Sequence, residues 1–126
     1  VLVPIDVYNQ TYYSVVAETI AFNHYCQYTE KVAKPMIAKR PFVAFASQFY
    51  LRNLRNLGFQ TFGTVIDEAY DKEFDLNQRM LLAWHQVEWL CTQNPEQVYS
   101  ALKSVLEHNQ QHFVETDWHS ALKKHF

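Results

Sequence analysis

Cysteine is scarce in this chain. Cys26 and Cys91 are the only two in 126 residues, and neither lies in a C-x-x-C or zinc-ligand spacing. That argues against a structural metal, and thiols in a reducing cytoplasm are the expected state. No apolar run approaches roughly 18 residues, so no helical membrane span is expected. Walker and G-x-G-x-x-G phosphate loops are absent, as are Ser-His-Asp and Cys-His catalytic sets. An excess of one charge is lacking too: a net charge of −2 implies no general affinity for nucleic acid or an anionic membrane. There is neither an initiating methionine nor a signal-like leader, and an opening at Val1 is expected of a fragment or a processed product.

What is present is apolar and aromatic residue. A hydrophobic fraction of 48% with 16% aromatics argues for a packed globule and against disorder. The length suits one domain, 1–126, able to bury roughly two-thirds of its unfolded surface without disulfides. Charge is uneven along the chain. Lys31, Lys34, Lys39, Arg40, Arg52 and Arg55 follow one another without an acid, and Asp67, Glu68, Asp71, Glu73 and Asp75 are relieved only by Lys72.

Residues Val1 to Thr11 read as a lead-in segment. Tyr12 to Ala17 is aromatic and β-branched, which predicts a buried strand ending near Glu18. Thr19 to Tyr28 reads as a loop, or a loop with a short helical turn. A helix is expected from about Glu30 to Lys39, kinked by Pro35. Pro41 to Ala46 is continuously apolar, as in a central parallel strand. Ser47 or Gln48 is expected to open a helix that Gly58 ends as a left-handed cap. Gln60 to Ile66 reads as a third strand. The alternation predicts an α/β fold, a small parallel Rossmann-like sheet with flanking helices over residues 12–66. Residues 75–126 read as all-helical. Leu76 to Cys91 forms one amphipathic helix ending near Gln93, Asn94-Pro95 starts the next, and Thr116 or Asp117 caps a short last one with Trp118 and Leu122.

Thr29-Glu30-Lys31 falls between the first two strands. A threonine can cap a helix, the free N–H groups of the first turn carry partial positive charge, and a lysine adds a full one. Such a place suits phosphate; the alternative is a structural cap with two solvated charges. His24, in the preceding loop, is a candidate hydrogen-bond donor to a pyrophosphate.

Tyr28-Thr29-Glu30-Lys31, preceded by a strand ending in Glu18 and followed by Lys34-Pro35 and the proline-led Pro41 strand, resembles the donor-binding half of α1,3-fucosyltransferase-like glycosyltransferases. Leu57-Gly58-Phe59 and Asp67-Glu68-Ala69-Tyr70 extend the likeness toward phage and bacterial glycosyltransferase-like proteins, over about Tyr13 to Arg79. The resemblance implies the C-terminal half of a GT-B architecture and a nucleoside diphosphate sugar as ligand. It implies Glu30 on ribose hydroxyls and Lys31 on the diphosphate, within a site of Glu18, His24, Tyr28, Thr29, Glu30, Lys31 and Lys34. Thr19 stands where the family has asparagine, and Arg40 and Ala46 stand where it has glycine, so the donor sugar is not assigned. The family's acceptor site and general base lie in an N-terminal half, so weak nucleotide binding and little turnover are expected of this chain alone. The partner would be a second Rossmann-like half or another copy. The competing expectations are a non-enzymatic interaction module of viral or bacterial origin and a small nucleotide-binding regulator.

Other constellations read as structural. His108 and His112 have metal-compatible spacing but lack the glutamate of the metalloprotease motif. The acids from Asp67 to Asp75 do not match a calcium loop and read as a solvated loop, with Asp67 and Glu68 placed to face a pocket if a third strand ends there. Arg52 and Arg55 could pair with that loop or contact phosphate. Trp84, Trp89 and Trp118 read as core and interface.

Overall fold

A computed structural model of the chain describes residues 12–18 and 30–116. Strand β1 (Ser14–Ala17) is followed by helix α1 (Glu30–Ile37), strand β2 (Phe42–Phe45) and helix α2 (Tyr50–Asn56). A 3-10 turn (Glu68–Lys72) then precedes the long helices α3 (Leu76–Cys91) and α4 (Pro95–Glu115). The fold is mixed α/β and mostly helical. The strands pair in parallel, Ser14 opposite Phe42 through Ala17 opposite Phe45. Helix α1 packs on β1 and α4, while α3 packs on β2 and the 3-10 turn. Val16, Val43, Leu51, Ala83, Leu90 and Leu102 meet in the fully buried core.

Local chemistry explains the helix boundaries. Asn94 accepts a bond from the Glu96 N–H at 2.9 Å, with Pro95 behind it at the first helical position. Asp75 caps α3 through the Gln78 N–H at 2.9 Å. Gly58, at φ +99°, ends α2, with Gly58 N–H bonded to the Arg55 carbonyl and Phe59 N–H to the Leu54 carbonyl; this is the Schellman pattern. Helix α1 ends the same way on a residue less suited to it, Lys39 at φ 54°, with Arg40 N–H reaching the Pro35 carbonyl. Pro35 lies inside α1 and, lacking an N–H, gives up only the bond toward Lys31.

Two expectations need correction. The first is the third strand: Gln60 to Phe62 has no regular structure and Gly63 to Ile66 is a turn and bend, not a strand. Its backbone is satisfied by side chains instead of a ladder. Buried Asn109 of α4 accepts from Gln60 N–H at 2.8 Å and donates to the Gln60 carbonyl at 2.9 Å. Glu68 accepts from Phe62 N–H at 3.0 Å. Phe62 still packs on the sheet, its ring edge-on to Phe42 at 5.0 Å. The apolar residues therefore serve the core without strand geometry. On the β2 edge away from β1, the Tyr70 hydroxyl accepts from the Ala44 N–H at 3.1 Å, where a further strand would otherwise pair.

The second concerns the start of α2. Neither Ser47 nor Gln48 caps it; Phe49 occupies the cap position in the left-handed region, φ 65°, with no side-chain cap bond. The cap comes from afar. Asp71 accepts from the N–H groups of Leu51 at 2.8 Å and Arg52 at 3.1 Å, and its own carbonyl takes the Phe49 N–H at 2.8 Å. The remaining differences are small: α1 is two residues shorter than expected and α3 ends at Cys91, with Leu76 and Cys91 exposed. The lead-in segment, the loop from Thr19 to Tyr28 and the last helix with Trp118 lie outside the described residues.

Candidate functional site

In a parallel sheet the carboxyl ends of the strands are where ligands collect, because the connecting loops and helix N-termini converge there. In this chain that edge is built from Glu18 after β1, Ala46 and the turn to Phe49 after β2, and the Asp71–Arg79 segment behind them.

Glu18 continues the sheet by one bond, its N–H donating to the Phe45 carbonyl at 3.1 Å. Its side chain is buried, and the Tyr50 hydroxyl donates to Oε2 at 3.0 Å. A phenol donor to a buried carboxylate fixes the orientation of both groups. From the sequence Tyr50 reads only as one of the residues at helical spacing in α2, and its reach to Glu18 after β1 is set by the fold.

Arg79 is a residue that the sequence did not flag. It is buried on the inner face of α3 and donates to three carbonyls: Nε to Ala46 at 2.9 Å, Nη1 to Glu73 at 2.8 Å and to Phe74 at 3.1 Å. The guanidinium, surrounded by carbonyl oxygens, also favours the charged form of the nearby Asp71 carboxyl, and it locks the loop after β2 to the segment before α3.

The acidic stretch is not a uniformly solvated loop. Asp71 is buried under α2, and burial pushes its carboxyl above the usual range against the opposing pull of its two amide bonds. Glu68 is likewise pushed up by burial, opposed by the Phe62 N–H, the Thr61 side chain and the Arg55 guanidinium at 3.9 Å. Arg55 also donates to Thr61 Oγ1 at 2.9 Å, while Arg52 lies over the Phe49 ring, 5.0 Å from its centroid. Asp67 and Asp75 are exposed helix caps.

Of the Thr-Glu-Lys motif, the backbone of Glu30 and Lys31 is described, and it is helical. His24, Tyr28 and Thr29 lie outside the described residues, as do the side chains of Glu30 and Lys31. Lys34 is exposed on α1, about 6 Å along the axis from Glu30 at 1.5 Å per residue.

The histidines belong elsewhere. His108 and His112 stack with ring centroids 5.8 Å apart, and their Nε2 atoms meet the Gly58 and Leu57 carbonyls at 2.8 and 2.7 Å. They close the C-terminal end of α2, where donors are favoured. Among the described residues no cluster of three or more His, Cys, Asp or Glu could hold a metal, and no helix is long and apolar enough to cross a membrane. Among the described residues, two concavities lie away from the strand ends. One is a groove of about 650 Å³ between the end of α1 and α4; the other, about 240 Å³, is lined by His108, Gln111, His112 and Glu115. No protein-family model matches the chain, and neither does any curated protein or any solved structure.

Proposed function

We propose that this chain is the sugar-nucleotide-binding half of a GT-B glycosyltransferase of the α1,3-fucosyltransferase-like kind. The observation that carries this reading is that α1, described from Glu30 of Thr29-Glu30-Lys31 onward, lies in the connection between two parallel strands. Only four residues join Ile37 to Phe42, so the C-terminal end of α1 sits by the start of β2. Its N-terminal end is then directed toward the carboxyl edge of the sheet, as in a Rossmann-like crossover.

In this reading the free N–H groups of α1 and the Lys31 ammonium take the diphosphate. Glu30 accepts from the ribose hydroxyls, Glu18 stands at the strand end held by Tyr50, and His24, Tyr28, Thr29 and Lys34 complete the rim. The chemical task is to stabilise a departing nucleoside diphosphate. Deprotonating an acceptor hydroxyl needs a base from a second Rossmann-like half, so the chain alone binds weakly and turns over little or not at all.

Thermal unfolding with guanosine diphosphate at millimolar concentration tests the reading. Binding raises the melting temperature, and Lys31→Ala and Glu30→Ala each abolish the rise. No shift with any nucleoside diphosphate or sugar nucleotide would sink it. A second reading, a non-catalytic interaction module, is favoured by large apolar side chains left in water, Phe74 at 81% and Trp89 at 40% exposure.

A further inference from the structure

We propose that Arg52, mounted on the ring of Phe49, is an oxyanion ligand at the carboxyl edge of the sheet and takes a phosphate group of the molecule bound there. The proposal rests on the reading of that edge as a diphosphate site and adds a contact on its β2 side. The turn that carries Phe49 leaves the end of β2 (Phe42–Phe45), and Arg52 follows in the first turn of α2.

The two arginines of α2 differ in what they already hold. Arg55 is committed to the acidic stretch, donating to Thr61 Oγ1 at 2.9 Å and standing 3.9 Å from Glu68. Among the described residues the exposed Arg52 guanidinium has no hydrogen bond and no ion pair; its contact is the Phe49 ring, 5.0 Å to the centroid. Asp71 meets the same turn but uses its carboxylate oxygens on backbone amides, that of Leu51 at 2.8 Å and Arg52's own at 3.1 Å. The amide end of α2 is thereby filled, so the donors left on this side are those of the arginine side chain. A planar fork of N–H groups matches phosphate oxygens.

Phe49 separates this arginine from a loose surface one. Its φ of 65° is left-handed, a conformation that is costly for a bulky side chain and free for glycine. The turn is pinned in that shape. Phe49 N–H donates to the Asp71 carbonyl at 2.8 Å, and the Phe49 carbonyl accepts from the N–H and the Nδ2 of Asn53, each at 2.9 Å. Strain of this kind is kept where a side chain has a task, and the contact this ring makes is with the guanidinium. A cation–π contact holds the charge in place and leaves the N–H fork open. Less freedom is then lost when an anion orders it, at the edge where ligands of parallel sheets collect.

Calorimetric titration with inorganic pyrophosphate tests the proposal, with Lys31→Ala as the marker of the contact at α1. Arg52→Ala removes no bond from the fold and is expected to weaken binding about tenfold or more at an unchanged melting temperature. Arg52→Lys keeps the charge without the fork and falls between the parent and Arg52→Ala. Phe49→Leu keeps an apolar side chain, removes the aromatic face and weakens binding about threefold. Unchanged affinity in Arg52→Ala, with binding lost in Lys31→Ala, overturns this proposal and leaves the diphosphate reading standing. Affinity lost in Arg52→Ala and unchanged in Lys31→Ala supports the arginine and sinks the site at α1. Parental affinity in Phe49→Leu overturns the role of the ring, and a parent chain that binds no pyrophosphate at millimolar concentration overturns both the proposal and the reading beneath it.

Discussion

Gly58 shows how much can rest on one residue. Its φ of +99° lies where a side chain is strained, and a Cβ there would come within 2.6 Å of the His112 ring. That ring cannot simply retreat, because its Nε2 bonds the Leu57 carbonyl at 2.7 Å and it packs edge-on against Phe59 at 4.7 Å. Gly58→Ala therefore pays twice, in backbone strain and in a displaced histidine, and is expected to cost about 2–4 kcal/mol. Denaturant titration measures it. In a His112→Ala background the same change should cost less, because only the backbone component remains; additivity of the two substitutions would show that the ring and the glycine are not coupled.

The short helix α2 shows how an element acquires its ends. Seven residues cannot sustain a helix on propensity, and its first turn has no acid of its own. Asp71 supplies the negative group at one end and the two histidines of α4 supply ring donors at the other, so the helix is finished by residues about twenty and fifty-five positions away. The acids beneath it set a pH dependence with an unusual sign. Burial raises Asp71 and Glu68 above the ordinary carboxylate range, so between the unfolded and folded pKa values the native state holds more protons than the unfolded chain. Their contribution to stability is fully present below about pH 4 and falls as pH rises through the raised values. Glu68→Gln keeps an acceptor for the Phe62 N–H and removes the charge. Its melting temperature relative to the parent should climb between pH 4 and 7; a difference that stays flat or declines would contradict the assignment.

Across the whole molecule, α4 is a polar fastener as much as an apolar one. One face buries Val98, Leu102 and Leu106, and the same helix bonds the backbone of several separate segments. Gln110 donates to the Ile37 carbonyl at the end of α1 at 2.8 Å, Tyr99 to the Tyr12 carbonyl, and Asn109 holds Gln60 through both backbone groups. Asn109→Leu preserves volume and removes both bonds, leaving a peptide group unpaired beside the core. The expected loss is about 1–3 kcal/mol, read from chemical denaturation, with faster amide exchange across Gln60 to Phe62. Protection unchanged in that stretch would mean that Asn109 is not what holds it.

Local signals in the sequence were sufficient for what depends on a few neighbouring residues. The Pro41-led apolar strand, the Asn94-Pro95 start and the Gly58 cap are each specified within two or three positions, because capping and φ preference act within a turn. The helical stretch expected from Glu30 is of this kind as well, since Glu30–Ile37 is helical, and the role of the Thr29-Glu30-Lys31 side chains is left to the nucleotide test. Gln60 to Ile66 misled because an apolar run satisfies core packing in more than one backbone geometry, and its hydrogen-bond partners, Asn109 and Glu68, come from other elements. Asp71 beneath α2, Arg79 among carbonyls and Tyr50 against Glu18 were likewise decided only in three dimensions. Each of these groups would cost too much to bury unpaired, and the partner that makes burial tolerable is supplied by the folded chain.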